Sequence, residues 1–503
     1  MKLRQLFCFL TALCMLFQLS GCKGGEAPTE KTGVELIGLM LGDESVEEWT
    51  ESNTIARVCW QKLKLEDEYR EKYPHLTAAF DKYNDESLAE ANEIMLETLP
   101  AARENMGDEF NPTYFESEGT LYVQRADSII VSLLEDAEIY TGGMHPNYYW
   151  HGRNYNPNTG EEVKLSSVLT DTANLTAILE KKITEKYSDV AFNDLKEVLD
   201  TYAIEDFSWT IDYQGITFHF SPYEIAAFAV GKLSAKIWFD EYPEMFNKEY
   251  FAAPEKYVIM LPVGQNMEFD LNSDDGKKDV VLAETYLDSY GEYHTLSVTV
   301  NGKTYTDEIN YAYDSEVYLA HVNGKNYIYS DSCAENDYHT FVSWDINGER
   351  PAIIQELYGT EVDYEYIEEG YEYGTVYTKV FNNPESFTLE TRLEILGTRG
   401  GVANYRVSDS GKAEMTDAAY SFNFGADVIT AMPLAAQLLP DMKIVEIGKG
   451  EKLIPYQTDG KSFVDLKTED DRIVRMQIDA SEWPLKVNGV PEDECFEEIL
   501  YAG

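Results

Sequence analysis

Residues Gly119–Gly143, "GTLYVQRADSIIVSLLEDAEIYTGG", indicate the fold class of the first half of the sequence. Two apolar runs on either side of a polar break predict a pair of β-strands. Patterns with apolar residues on one helical stripe flank them, "DESLAEANEIMLETL" at Asp85–Leu99 and "DTANLTAILEKKITEKYSD" at Asp171–Asp189. Strands between helices predict an α+β domain, a mixed sheet with packed helices.

The second half reads as mostly β from about residue 250. Asn-Gly or Asp-Gly pairs predict hairpin turns at 301–302, 323–324, 347–348 and 459–460. The first three pairs lie 22 and 24 residues apart. This spacing favours a repeating hairpin unit, either a propeller or a sandwich. Short strands near the C-terminus predict a small terminal barrel.

The N-terminus has the layout of a secretory signal. In Met1–Cys22, "MKLRQLFCFLTALCMLFQLSGC", a basic start precedes an apolar run and small residues before the cysteine. "LSGC" resembles the lipobox of bacterial lipoproteins, which implies cleavage before Cys22 and its lipidation. A plain signal peptide with a free cysteine is the alternative. We expect a membrane partner through the lipid anchor, on the outer face of the cytoplasmic membrane or the cell surface.

The net charge restricts the partners. The 503-residue chain carries 40 Lys and Arg against 91 Asp and Glu. Removal of residues 1–21 leaves 38 basic side chains, a formal charge of −53. Nucleic acid is excluded, and basic proteins or divalent cations are favoured at modest ionic strength. Acidic composition also keeps extracellular proteins soluble. Of the remaining cysteines, Cys333 and Cys495 could pair if the second half is compact.

The stretch "YTGGMHPNYYWHG", Tyr140–Gly152, predicts a loop that ends a strand. Its Gly-Gly pair supplies positive φ, and Pro146 holds His145 in an extended conformation. The two histidines lack the HExxH spacing of helical zinc sites. An aromatic surface loop is therefore favoured over a metal or catalytic site.

Three motifs in order carry a family resemblance: "GGMHPN" at 142–147, "NYNPNTGEEVKLSSVL" at 154–169 and "DYQGITFHFSPYEIAAFAVG" at 212–231. Together they resemble the extracellular domain shared by the RsiV anti-sigma factor and the PdaC peptidoglycan deacetylase. The resemblance implies a non-catalytic α+β module, which in RsiV binds lysozyme. It places the recognition surface on Ser221, Pro222, Tyr223 and Glu224, with His145 and Pro146 as neighbours. The alternative for Tyr223 is pure packing.

The sequence departs from both relatives. RsiV-like regulators have a cytoplasmic segment, whereas this chain begins with a lipobox, so direct transcriptional signalling is not expected. The later histidines, at 219, 294, 321 and 339, lack the HxxxH spacing of the deacetylase metal site. GxSxG and CxxC are absent. A glycan-modifying cell-wall enzyme with an acidic pair and a structural or adhesive surface protein stay open as alternatives.

The segment Phe269–Val281, "FDLNSDDGKKDVV", holds oxygen-bearing side chains around Gly276. Their alternating and then wider spacing resembles calcium loops, because Ca²⁺ accepts six to eight oxygen ligands. The predicted ligands are Asp270, Asn272, Asp274 and Asp279. An acidic hairpin turn without an ion is the alternative, so Ca²⁺ is the one cofactor considered.

We therefore expect a surface lipoprotein that recognises a protein or a cell-wall ligand, such as a basic lysozyme-like protein. The predicted organisation is a signal peptide at 1–21, a lipidated tether at 22–44, the α+β domain at 45–250 with subdomains at about 45–135 and 136–250, a β-rich domain at 251–440 and a barrel-like domain at 441–503.

Overall fold

A computed structural model of the protein describes residues 33–502 apart from 52, 106–113, 193, 273–276, 288–293, 337, 368–373 and 482. The predicted signal peptide, Cys22 and Asp274 lie outside the described residues. Among the residues that are described, no helix is both long and apolar enough to cross a membrane.

The described part of the chain forms many strands and few helices. Its strands are β1 (Leu39–Trp49), β2 (Thr54–Leu65), β3 (Phe115–Ala126), β4 (Val131–Ile139), β5 (Asn147–Tyr155), β6 (Ser208–Ile211), β7 (Gly215–Phe220), β8 (Leu233–Trp238), β9 (Tyr257–Leu261), β10 (Met267–Phe269), β11 (Asp279–Leu287), β12 (His294–Val300), β13 (Lys303–Ala312), β14 (Asp314–Val322), β15 (Lys325–Ala334), β16 (Tyr338–Asp345), β17 (Ala352–Tyr358), β18 (Thr360–Val362), β19 (Tyr364–Ile367), β20 (Thr375–Lys379), β21 (Phe387–Glu394), β22 (Thr398–Val407), β23 (Ala413–Met415), β24 (Tyr420–Phe424), β25 (Val428–Ile429), β26 (Leu434–Leu438), β27 (Lys443–Ile447), β28 (Lys452–Thr458), β29 (Phe463–Thr468), β30 (Ile473–Asp479), β31 (Lys486–Val487) and β32 (Val490–Pro491). Its α-helices are α1 (Asp67–Arg70), α2 (Pro74–Glu104), α3 (Leu165–Val168), α4 (Leu175–Lys186), α5 (Leu195–Leu199) and α6 (Glu492–Cys495).

The first sheet is mixed and has helix α2 packed on it. Its strand order is β19-β20-β1-β2-β3-β4-β5, and β2 pairs with β3 in parallel while the other pairs are antiparallel. The predicted strand pair is confirmed as β3 and β4. Helix α2 covers the predicted stripe and buries Ala91 and Met95, whereas Leu88 is 45% exposed because it lies at the edge of the buried face. The predicted mixed sheet with helices is present.

A three-stranded sheet follows, in the order β6-β7-β8. Helices α4 and α5 supply the apolar side chains that cover it, including Leu175, Leu179 and Ile183 of the predicted second helix. These residues recur every three or four positions, so they lie on one face of α4. The aromatic and aliphatic side chains of β7 complete this core.

The second half is β-rich, as predicted. Asn301 and Asn323 have positive φ at the hairpin turns that join β12 to β13 and β14 to β15. A propeller or a separate terminal barrel is not confirmed, because β28–β32 share a thirteen-stranded sheet with strands as early as β18. None of the sheets formed by the described residues closes on itself. A hairpin turn specifies one strand pair and leaves the choice of sheet to packing.

The predicted boundary at 44–45 lies inside strand β1, and the predicted domains 45–250 and 251–440 share one sheet. Strand β20 pairs with β1, so the first sheet is completed by residues after 364. Strand β1 begins at Leu39 and Ile37 is buried, although both lie in the range predicted for the tether. Cys333 and Cys495 form no disulfide with each other.

Candidate functional site

The three-stranded sheet has a candidate site at each end. Gly215 of β7 lies opposite Trp238 of β8, and Phe220 lies opposite Leu233. Beyond Phe220 and Leu233 the chain forms exposed aromatic loops, and beyond the other end it lines a cavity. Six residues of strand separate the two ends by roughly 17 Å.

A tight turn follows β7. The Glu224 N–H donates to the Ser221 carbonyl at 3.2 Å, Pro222 occupies the second position, and Tyr223 occupies the third with φ +74°. This is the pattern of a type II turn, whose third position usually requires glycine. A bulky residue with positive φ is uncommon and strained. The turn therefore holds the Tyr223 ring outward, where it is 65% exposed.

Four rings from two segments meet beside this turn, and we call them the loop surface: His145, Tyr148, Tyr223 and Phe228. The Phe228 ring centre lies 3.9 Å from that of His145, 5.3 Å from that of Tyr223 and 5.9 Å from that of Tyr148. Rings at such spacings attract one another beyond their simple burial. His145 and Tyr223, which the family resemblance placed on the recognition surface, both lie against the Phe228 ring.

Polar contacts hold the two segments together beneath the rings. The Trp150 N–H donates to Ser221 Oγ at 3.1 Å, and its indole Nε1–H donates to Asp136 at 2.9 Å. Lys232 pairs with Asp136, and its ammonium lies 5.4 Å from the Trp150 ring centre. Ser221 is buried and therefore acts as a tie between segments.

The surroundings of the loop surface are acidic. Desolvation raises the pKa of Glu138, although Lys232 opposes this shift. Desolvation also raises the pKa of Glu224, against hydrogen bonds from Ser221 that lower it. Both carboxyls have an environment that disfavours their charge, so a cationic partner group would relieve it.

The other predicted residues have local roles. Pro222 is half-buried in the turn, and the Pro146 carbonyl lies 2.9 Å from His145 Nδ1. A 3-10 turn spans Phe228–Val230, and Ile225 is buried. Phe228, the central ring of the loop surface, is a residue that the sequence analysis did not single out. Tyr148, Tyr149 and Trp150, predicted to lie in an aromatic surface loop, are instead on strand β5, and Trp150 is buried.

The predicted calcium ligands lie at the opposite end of the sheet. Asp270 pairs with Lys278 at 3.0 Å, and Asn272 is exposed. Asp279 is buried, and its carboxylate accepts hydrogen bonds from a backbone N–H and an asparagine amide. Asp274 lies outside the described residues. Within the part of the chain that is described, no group of three or more His, Cys, Asp or Glu side chains is arranged to hold a metal ion.

Asp270, Asn272 and Asp279 line a cavity of about 1200 Å³. Lys278 is part of the cavity wall and also pairs with Asp240 at 2.7 Å. Arg125, fully buried behind the wall, donates to Asp127 at 2.7 Å and stacks over Tyr213 at 4.9 Å. The cavity wall is therefore backed by one buried ion pair and carries the partly exposed pairs of Lys278.

Residues 167–240 match the family described as "Protein of unknown function (DUF3298)". This segment is a DUF3298 domain. It contains the three-stranded sheet, the Ser221–Glu224 turn and Phe228, and it ends at the cavity residue Asp240. The loop with His145 precedes it.

Two solved structures are similar to part of the chain. One is a member of the DUF3298 family from Bacteroides fragilis NCTC 9343, 17% identical, which covers 43% of this chain and 98% of its own with a TM-score of 0.33. The other is a DUF3298 family protein from Pseudomonas aeruginosa PAO1, 15% identical, covering 42% and 97% with a TM-score of 0.29. No curated protein matches the chain.

Proposed function

We propose that the protein is a lipid-anchored surface protein whose loop surface binds a basic protein such as lysozyme, without catalysis. The observation that carries the proposal is the exposed ring of Tyr223, held outward by a strained turn and grouped with Phe228 and His145. Tyrosine is enriched at protein interfaces because its ring is rigid, largely apolar and able to hydrogen-bond.

Charge supports a basic partner. The chain has a formal charge of −51. Glu138 lies opposite Tyr148 in the β4–β5 pair, and Glu224 follows Tyr223. Acidic surfaces accelerate encounter with basic proteins at low salt. The RsiV-like resemblance of the segments that carry His145 and Tyr223 favours lysozyme, and the lipobox resemblance favours anchoring through Cys22.

The test is isothermal titration of the secreted chain from residue 23 onward with hen lysozyme. The complete chain is needed because β20 completes the sheet that contains β1. Tyr223→Ala should weaken binding by roughly 2 kcal/mol, about thirtyfold. Tyr456→Ala removes a tyrosine that is 45% exposed on a distant strand and should leave the affinity unchanged. Equal effects of the two substitutions, or no binding by the unmodified chain, would contradict the proposal.

A further inference from the structure

The ion pair between Lys236 and Asp212 is buried inside the protein. Lys236 lies on β8 and Asp212 in the turn between β6 and β7, and their side chains are 3% and 4% exposed. Lys236 is the only buried lysine among the residues that the structure describes. Lysine normally keeps its ammonium in water, and the cost of removing two charges from water can exceed the gain from their attraction. As an ion pair, these two side chains therefore contribute little net stability.

The surroundings of Lys236 favour its neutral, nucleophilic form. Its Nζ lies 4.3 Å from the ring centre of Trp238 and 4.9 Å from that of Phe269. Burial lowers the pKa of Lys236, although Asp212 opposes this shift. A lysine that is desolvated in an apolar pocket is an activated nucleophile, because more of its amine is uncharged. The same rings exclude water, which protects a bond formed there from hydrolysis.

The Asp212 carboxyl group is oriented to accept this nucleophile. Its Oδ2 lies 2.5 Å from Lys236 Nζ. Its Oδ1 accepts hydrogen bonds from the backbone N–H groups of Gln214 at 2.7 Å and Gly215 at 3.1 Å. Two backbone donors on one oxygen stabilise the negative charge that develops there during acyl transfer. The two oxygens therefore have different environments, one facing the amine and the other held by fixed donors.

We propose that Lys236 and Asp212 condense to form an intramolecular amide bond. A proton passes from Nζ to Oδ2, the neutral amine attacks Cγ, and the negative charge on Oδ1 is held by the two backbone N–H groups. The Cγ–Oδ2 bond then breaks, and Oδ2 takes a second proton from the nitrogen and leaves as water, so no other reactant is needed. The amide N–H donates to the Glu268 carbonyl, which already accepts from Nζ at 2.9 Å. The product replaces two buried charges with a neutral group whose polar atoms are satisfied.

The experiment is mass spectrometry of the folded chain from residue 23 onward, intact and after protease digestion. The intact chain should be lighter than its sequence by one water, and the digest should contain a branched peptide that joins the segments with Asp212 and Lys236. The Lys379–Asp363 pair is an internal control, because its atoms lie 2.7 Å apart but its lysine side chain is 19% exposed. The peptides of this control pair should stay separate. The full sequence mass, or a water loss that maps elsewhere, such as to an Asp-Gly pair, would overturn the proposal.

Two conservative substitutions assign the bond to its lysine. Lys236→Arg keeps the positive charge, but the guanidinium stays protonated and does not attack a carboxyl group, so this variant should have the full mass of its sequence. Lys379→Arg is the matched control and should still lack one water. If Lys236→Arg does not fold, the branched peptide of the unmodified chain provides the test. A water loss that persists in folded Lys236→Arg, or a branched peptide that joins Lys236 to Glu268, would overturn the assignment.

Discussion

The two ends of one small sheet are built in opposite ways. At the Phe220 end, exposed rings rest on a turn and a few polar ties. At the Trp238 end, the wall is held by ionic groups with almost no exposure, among them Arg125 and the Lys236–Asp212 pair at 2.5 Å. The comparison shows two kinds of construction: exposed rings on a turn with few polar ties at one end, and a cavity wall backed by buried ion pairs at the other.

Because of this difference, we expect substitutions in the loop surface to affect binding and substitutions in the cavity frame to affect stability. Removal of a ring from the loop surface exposes little core, so the fold should tolerate it. Removal of an ion from the cavity frame leaves its partner buried and uncompensated. The three predictions below test this separation, from the largest effect to the smallest.

Arg125→Ala should lower the free energy of unfolding by roughly 3–5 kcal/mol. The guanidinium is fully buried, pairs with Asp127, and donates to the carbonyls of Tyr250 and Ala252 at 2.9 and 2.8 Å. Its loss removes the donor to both carbonyls and to Asp127 Oδ2, while Asp127 Oδ1 keeps the backbone N–H groups of Ile129 and Ile130. Urea denaturation followed by tryptophan fluorescence measures the change.

The matched control is Arg406→Ala. Arg406 is 61% exposed in its side chain and lies 3.5 Å from Glu414. Exposed pairs of this kind contribute about 0–1 kcal/mol because solvent screens them. A similar loss of stability in both variants would contradict the rigid frame assigned to the cavity.

The second prediction concerns pH and His219, which lies beneath the loop surface. Burial, with minor contributions from Lys186 and His151, lowers the pKa of His219 to about 3 from an ordinary 6.5. The unfolded chain therefore binds a proton that the folded chain rejects, so this contribution to stability is complete above pH 6.5 and is lost as the pH falls towards 3. Between pH 6.5 and 4.5 the loss is about 2–3 kcal/mol.

His219→Gln should remove that slope, since glutamine does not titrate. The difference between the wild-type and variant urea midpoints across pH 4.5–7 gives the contribution of His219 alone. Carboxyls such as Glu316, whose pKa is raised by burial to about 8, contribute equally to both proteins and cancel. Parallel curves for His219→Gln would show that burial does not keep this histidine neutral.

The smallest expected effect is at the strained turn. Tyr223→Ala should change stability by less than about 0.5 kcal/mol. Tyr223→Gly should be more stable than Tyr223→Ala by about 1 kcal/mol, because glycine adopts φ +74° without strain. Both variants should bind lysozyme equally weakly, since both lack the ring. If only the alanine variant lost binding, backbone shape rather than the ring would be the determinant.

Two of the four rings of the loop surface, His145 and Tyr223, could be anticipated from sequence, because they lie in short stretches with turn-forming glycine and proline. The β3–β4 pair and helix α4 were predictable for the same reason, since their signals are local. The cavity was not, because its rings and cations come from segments between Tyr213 and Arg350 that meet only through sheet packing. The pairing of β20 with β1 was equally hidden, since antiparallel pairing leaves no mark on residues more than 300 positions apart.

The most direct test of the central claim is hydrogen exchange of the chain from residue 23 onward with and without hen lysozyme. If lysozyme binds the loop surface, we expect protection only in peptides that span 142–150 and 221–231. Peptides from the cavity rim near 346–351 should be unchanged. Protection at the rim, or on the β28–β29 hairpin with the two loop segments unchanged, would show that the partner binds elsewhere and contradict the account.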